Sequence, residues 1–187
     1  MLAEDIKQRI IQMQFQTGNM PTELAVLANI SPKKFKNAIK SYAFGFNLQV
    51  ETAIALFDDT VFGSAKNGFL LTTTMLYFRN ITESAKSIDL GSIMRFTIQE
   101  GLLTHKIQVI TRHGGALEIE VTNIEKVQRF ALIGFLNQTL EILGAGEFGA
   151  AAQPQPAVAP VPTNCTNCSA IIPLGKRFCE YCGSSYN

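Results

Sequence analysis

All four cysteines of this chain fall between residues 165 and 182, in the pattern C-x2-C-x10-C-x2-C. A C-x2-C pair can turn two thiolates toward one cation, and two such pairs complete a tetrahedral shell. Cys165, Cys168, Cys179 and Cys182 are therefore expected to hold one structural zinc ion. Zinc suits four soft thiolates, although the same donors accept iron in a rubredoxin-like centre, and oxidation would pair them as disulfides. With every position filled by protein, no vacancy remains for a metal-bound water, so the expected role is structural rather than catalytic. Such a shell carries a net charge of about −2, which Lys176 and Arg177 can offset in part. So short a module has little core of its own, and metal binding of about 10 to 16 kcal/mol would supply its folding energy.

The remainder of the 187 residues suffices for one sizeable core. Apolar residues make up 47% and charged residues 17%, a balance that suits a packed body rather than a solvated chain. A net charge of +1 supplies no global field toward nucleic acid or an anionic membrane. The opening MLAEDIKQRI lacks a charged n-region followed by an apolar run, and no stretch approaches the ~20 apolar residues of a membrane span. A cytoplasmic location is expected, where a reducing milieu keeps thiols available as ligands.

Residues 1–50 read as a helical element. Ile6, Ile10, Ile11, Met13 and Phe15 predict a helix over 3–16, stopped at Gly18-Asn19. Pro21 opens a second, short helix through Ala28, and Ser31-Pro32 opens a third carrying Phe35, Ala38, Ile39 and Tyr42 on one side. From residue 51 the pattern changes to short β-rich runs: 53–57, 68–73, 75–79, 87–90, 93–98, 106–111 and 117–121. Asn67-Gly68 and Gly114-Gly115 are among the turns that separate them. Ile124, Val127, Phe130, Ala131, Ile133, Leu136, Leu140 and Leu143 then predict one closing amphipathic helix, on which Phe135 is a candidate for an exposed dimer contact. Residues 145–163 hold most of the prolines with many alanines and almost no charge, the composition of a flexible linker ahead of a module at 164–187.

The tail, in Ile172-Pro173, Lys176-Arg177-Phe178-Cys179 and Cys182-Gly183, resembles the short zinc-ribbon domains at the ends of many bacterial proteins, with Ser169 where a glycine would be usual. Residues 51–144 resemble the bacterial pleckstrin-homology-like domains, which are similar in turn to GRAM domains. Gly68-Phe69-Leu70-Leu71-Thr72 followed by Met75-Leu76-Tyr77-Phe78 carries that likeness, with seven short strands and a closing helix. The resemblance implies an α+β fold: N-terminal helices, an antiparallel β barrel or sandwich, then the ribbon. It also implies binding of phosphoinositides through a basic first loop, or of protein partners. Here the loop, Asp58 to Asn67, contains Asp58, Asp59 and only Lys66, so phosphoinositide binding is disfavoured and a protein partner is expected.

Leu24 to Ser31, followed by a lysine-rich helix, resembles a helix-turn-helix with Asn29 at the turn. In that reading Lys33, Lys34, Lys36 and Lys40 meet phosphates and Asn37 is the one amide able to read a base edge. The competing reading makes these helices a platform that packs Phe35 and Ile39 on the β domain. No nucleophile elbow, phosphate-cradling glycine loop or paired His/Cys set is present, Asp58-Asp59 reads as a turn cap, and His105 and His113 read as ordinary strand or surface residues. The sequence thus points to a non-enzymatic intracellular adaptor with a structural zinc site, and alternatively to a nucleic-acid-associated regulator.

Overall fold

Three runs of sequence, Ile54-Ala55-Leu56-Phe57, Phe69-Leu70-Leu71 and Leu76-Tyr77-Phe78, are apolar at consecutive positions. Side chains alternate between the faces of a strand, so such runs can fold only where both faces are covered. The computed structural model, which describes residues 2–48, 50–101, 105–122, 124–144 and 167, shows how this is met.

The chain order is α1 (Glu4–Thr17), β1 (Leu24–Val26), a 3-10 turn (Leu27–Asn29), α2 (Pro32–Ser41), β2 (Ala53–Asp58), β3 (Gly68–Thr72), β4 (Met75–Arg79), β5 (Lys86–Asp89), a 3-10 turn (Leu90–Ser92), β6 (Ile93–Gln99), β7 (His105–Thr111), β8 (Ala116–Val121) and α3 (Lys126–Ile142). Strands β1 to β5 form one antiparallel sheet in sequence order, and β6 to β8 form a second. The described residues are therefore α+β, with three helices and two antiparallel sheets, and these do not close into a barrel.

Phe57, Phe69, Leu71, Leu76 and Phe78 on one face of the first sheet join the main core, which also takes Ile10 and Met13 of α1, Ile107 and Val109 of β7, and Leu132, Phe135 and Leu136 of α3. Phe57 and Phe69 are register partners, and their rings stack with centroids 5.3 Å apart. The opposite face presents Leu56, Leu70 and Tyr77 to Ala38 of α2, Tyr42 and Ala43, with Phe35 and Ile39 packed at the margin. Helix α2 thus supplies the second cover that three doubly apolar strands require. Gly68 starts β3 at φ 114°, and a Cβ there would lie 2.1 Å from the Phe57 carbonyl oxygen. Only glycine fits.

Three expectations are corrected. Residues 21–28 contain no second helix: Leu24 and Val26 are buried alternately and pair with Phe57 and Ala55 of β2, and the chain turns at Leu27 with φ 48°. This removes the first helix of the helix-turn-helix reading. On α3 the buried stripe passes through Leu132, Phe135, Leu136, Thr139 and Leu140, so Phe135 is a core residue and no dimer contact. Val127 and Phe130, expected on the inner stripe, are exposed instead. Helix α3 starts with a reciprocal cap, Glu125 and Gln128 each bonding the other's backbone, which fixes the turn from which the stripe is counted.

Candidate functional site

Zinc is expected at Cys165, Cys168, Cys179 and Cys182, which lie outside the described residues, as does the linker at 145–163. The fit of the metal therefore rests on donor chemistry: four thiolates in two C-x2-C pairs match a closed tetrahedral zinc shell. Among the described residues, no group of three or more His, Cys, Asp and Glu is placed to hold a metal ion. No helix among them is long and apolar enough to cross a membrane.

Two surfaces of the body remain. One is a groove of about 640 Å³ where α1, the β1–α2 connection and the segment after α2 meet. Ile11, Leu27, Ile30, Phe35, Phe46 and Leu48 line it, and the Phe35 and Phe46 rings meet edge to face with centroids 5.2 Å apart. Leu48 on this lining is an exposed apolar side chain, as are Phe44 and Val50 of the same segment after α2. Glu51 also lines the groove, although its carboxylate is buried. It accepts hydrogen bonds from the Tyr77 hydroxyl at 2.9 Å, the Thr72 hydroxyl at 2.7 Å and the Asn47 N–H at 3.3 Å. All three donors are neutral. Burial, with the hydrogen bond to Glu51 and its charge, pushes the Tyr77 pKa up to about 12.

The second surface is α2 with the loop between β2 and β3. Lys34 and Asn37 already have partners within the fold. Lys34 Nζ sits 2.8 Å from Asp58 Oδ2, and Asn37 Nδ2 donates to the Ser64 carbonyl at 2.8 Å. Lys33, Lys36 and Lys40 remain exposed. The same contacts correct the reading of the loop as acidic, because Asp58 is 2% and Asp59 4% exposed. Asp58 Oδ1 accepts from the Thr60 N–H at 3.1 Å, from the Thr60 hydroxyl, and from the Ala65 N–H at 3.0 Å, the turn-capping role expected of it. Burial alone raises its pKa, but Lys34 and these hydrogen bonds outweigh that and hold it below the ordinary carboxylate value. Asp59 points elsewhere, accepting from the N–H and hydroxyl of Thr122, each at 2.9 Å. Burial, with Glu120 and Asp58 nearby, leaves its pKa raised. Adjacent residues at a strand end point to opposite sides, so two neighbouring acids acquire opposite shifts.

Of the histidines, His113 is exposed in the β7–β8 turn and His105 is half-buried at the start of β7. Comparison with protein families, with curated proteins and with solved structures finds no match. Sequence reasoning missed the groove, because its lining comes from four separate segments. It missed Glu51 as well, since a lone glutamate ahead of an apolar strand carries no signal. Val61 and Phe62 were visible as two apolar residues inside a predicted loop.

Proposed function

We propose that the chain is a non-enzymatic adaptor whose body holds an apolar segment of a protein partner in the groove between α1 and α2, and whose tail folds around one zinc ion. The carrying observation is the groove itself: about 640 Å³, room for several side chains, with exposed Leu48 on its lining. Exposed apolar residues gathered beside a concavity are the usual signature of a partner site. Two antiparallel sheets followed by one helix support a pleckstrin-homology-like reading of residues 51–144, and the cysteine spacing supports the zinc ribbon.

The test is quantitative affinity capture from the native cell with three forms: wild type, Leu48→Asp, and a chain ending at residue 144. A partner lost on Leu48→Asp supports the groove, and one lost on truncation assigns it to the tail. An identical partner list for all three forms would overturn the adaptor reading.

A further inference from the structure

The body carries a concave apolar surface and, on another part of the same chain, a convex one. The convex one is a turn in the loop between β2 and β3. The Gly63 N–H donates to the Thr60 carbonyl at 3.1 Å, so Val61 and Phe62 are the central residues of the turn. Val61 is 81% exposed and Phe62 95% exposed. Two adjacent apolar side chains this bare are stabilised by whatever removes them from water.

Helix α2 stands between this tip and the groove. Pro32 and Phe35 line the groove. Lys34, Asn37 and Ser41, on the opposite face of the helix, hold the loop: Lys34 pairs with Asp58 at 2.8 Å, and Asn37 and Ser41 donate to the Ser64 and Lys66 carbonyls at 2.8 and 2.6 Å. With its limbs tied to the far side of α2, the tip cannot reach the groove of its own chain.

We propose that the groove takes the Val61-Phe62 tip of a second copy of this chain. The inference rests on reading the groove as a docking site and names one occupant for it. Three features match. The groove, about 640 Å³, has room for both side chains, and its Phe35 and Phe46 rings offer an aromatic wall to Phe62. The tip arrives in a fixed shape, because Thr60 Oγ1 accepts from the Ser64 N–H at 2.7 Å and Asp58 Oδ1 from the Ala65 N–H at 3.0 Å, so little conformational freedom is lost on docking. The charges are opposite. Glu4 and Glu51 line the groove against Lys7, whereas both aspartates of the loop bond inward and Lys66 is its exposed charge. Tip and groove are different patches, so the contact is heterologous: one copy can give its tip to one neighbour and take a tip from another. An interface centred on two side chains is small, so association is weak and concentration dependent.

The chain has no tryptophan, so Phe62→Trp installs a single fluorescent reporter at the tip. Full-length Phe62→Trp at trace concentration is titrated with Phe62→Ser, which keeps its groove, and in parallel with Leu48→Asp, whose groove has gained a carboxylate. The expected result is a saturable blue shift of Trp emission with the first and none with the second. In light scattering, the mass of the wild type should rise with concentration, and each variant alone should need at least about tenfold more protein for the same rise. An equimolar mixture of Phe62→Ser and Leu48→Asp should form pairs, since one brings the groove and the other the tip. Phe62 and Leu48 are 95% and 77% exposed, so circular dichroism should be unchanged and lost association is not lost folding. The proposal is overturned by a wild type that stays monomeric up to about 1 mM, by equal shifts with both titrants, or by a mixture that stays monomeric. If Leu48→Asp loses a partner in capture from the cell while the titration shows no shift, the groove reading stands, its occupant is another protein, and self-association is overturned.

Discussion

The side-chain amide of Asn137 on α3 lies against the peptide group of Phe96 on β6, accepting its N–H at 2.8 Å and donating to its carbonyl at 2.9 Å. A carboxamide has the donor and acceptor of a peptide, so Asn137 stands where a further strand would pair. Asn80 does the same at the other edge of this sheet, accepting from the Glu120 N–H at 3.0 Å and donating to the Glu118 carbonyl at 3.1 Å. With Asp59 on Thr122, both edges of the second sheet are occupied by side chains, one of the ways folds suppress edge-to-edge pairing.

Asn137→Ala removes both bonds at β6 and is expected to cost about 1 to 3 kcal/mol, read as a lower urea midpoint with unchanged slope. Asn137→Asp keeps the acceptor but loses the donor and should fall between the two. Equal midpoints for wild type and Asn137→Ala would refute the edge role.

The two adjacent aspartates should pull stability in opposite directions with pH. The folded pKa of Asp58 lies below the ordinary 3.8, so its contribution is present above that value and is lost as pH falls through the folded pKa. That of Asp59 is raised, so its contribution is full below 3.8 and is lost as pH rises through the folded pKa. Urea unfolding across the acidic range should therefore show the deficit of Asp58→Asn growing as pH rises, while the difference between wild type and Asp59→Asn moves the other way.

Tyr77 provides an alkaline counterpart. Its pKa of about 12 means that its contribution holds below the ordinary 10.0 and disappears as pH climbs through about 12. Ultraviolet titration should show Tyr77 titrating late, with Tyr42 held higher still by burial and the Asp58 charge, and Glu51→Gln should bring only Tyr77 earlier by removing the hydrogen-bonded charge. A Tyr77 titration unmoved by Glu51→Gln would separate the two groups.

For the tail, purified protein is expected to carry one zinc per chain, and Cys179→Ser to lose it. The body, a compact unit spanning Met1–Ala151, should keep its thermal transition after chelation. Less than about half an equivalent of zinc in fresh material, or a body that melts on metal removal, would count against the assignment.

Most of the fold was legible because its signals are local. The seven strand runs from residue 53 onward appear within a residue or two of their expected ends, since apolar runs and Gly-containing turns sit side by side in the chain. Residues 21–28 were misread because Leu24 and Val26 gain their strand character from Phe57 and Ala55, some thirty positions away. The loop 58–67 was read by counting charges, yet whether an aspartate is felt outside depends on which way it points. Lys34 and Thr122, both distant in sequence, decide that for Asp58 and Asp59.

The tethering of the Thr60–Gly63 turn by Asp58, Asn37 and Ser41 has a kinetic consequence. A loop tied along both limbs opens rarely, so a protease that must draw it out as an extended strand should cut it slowly.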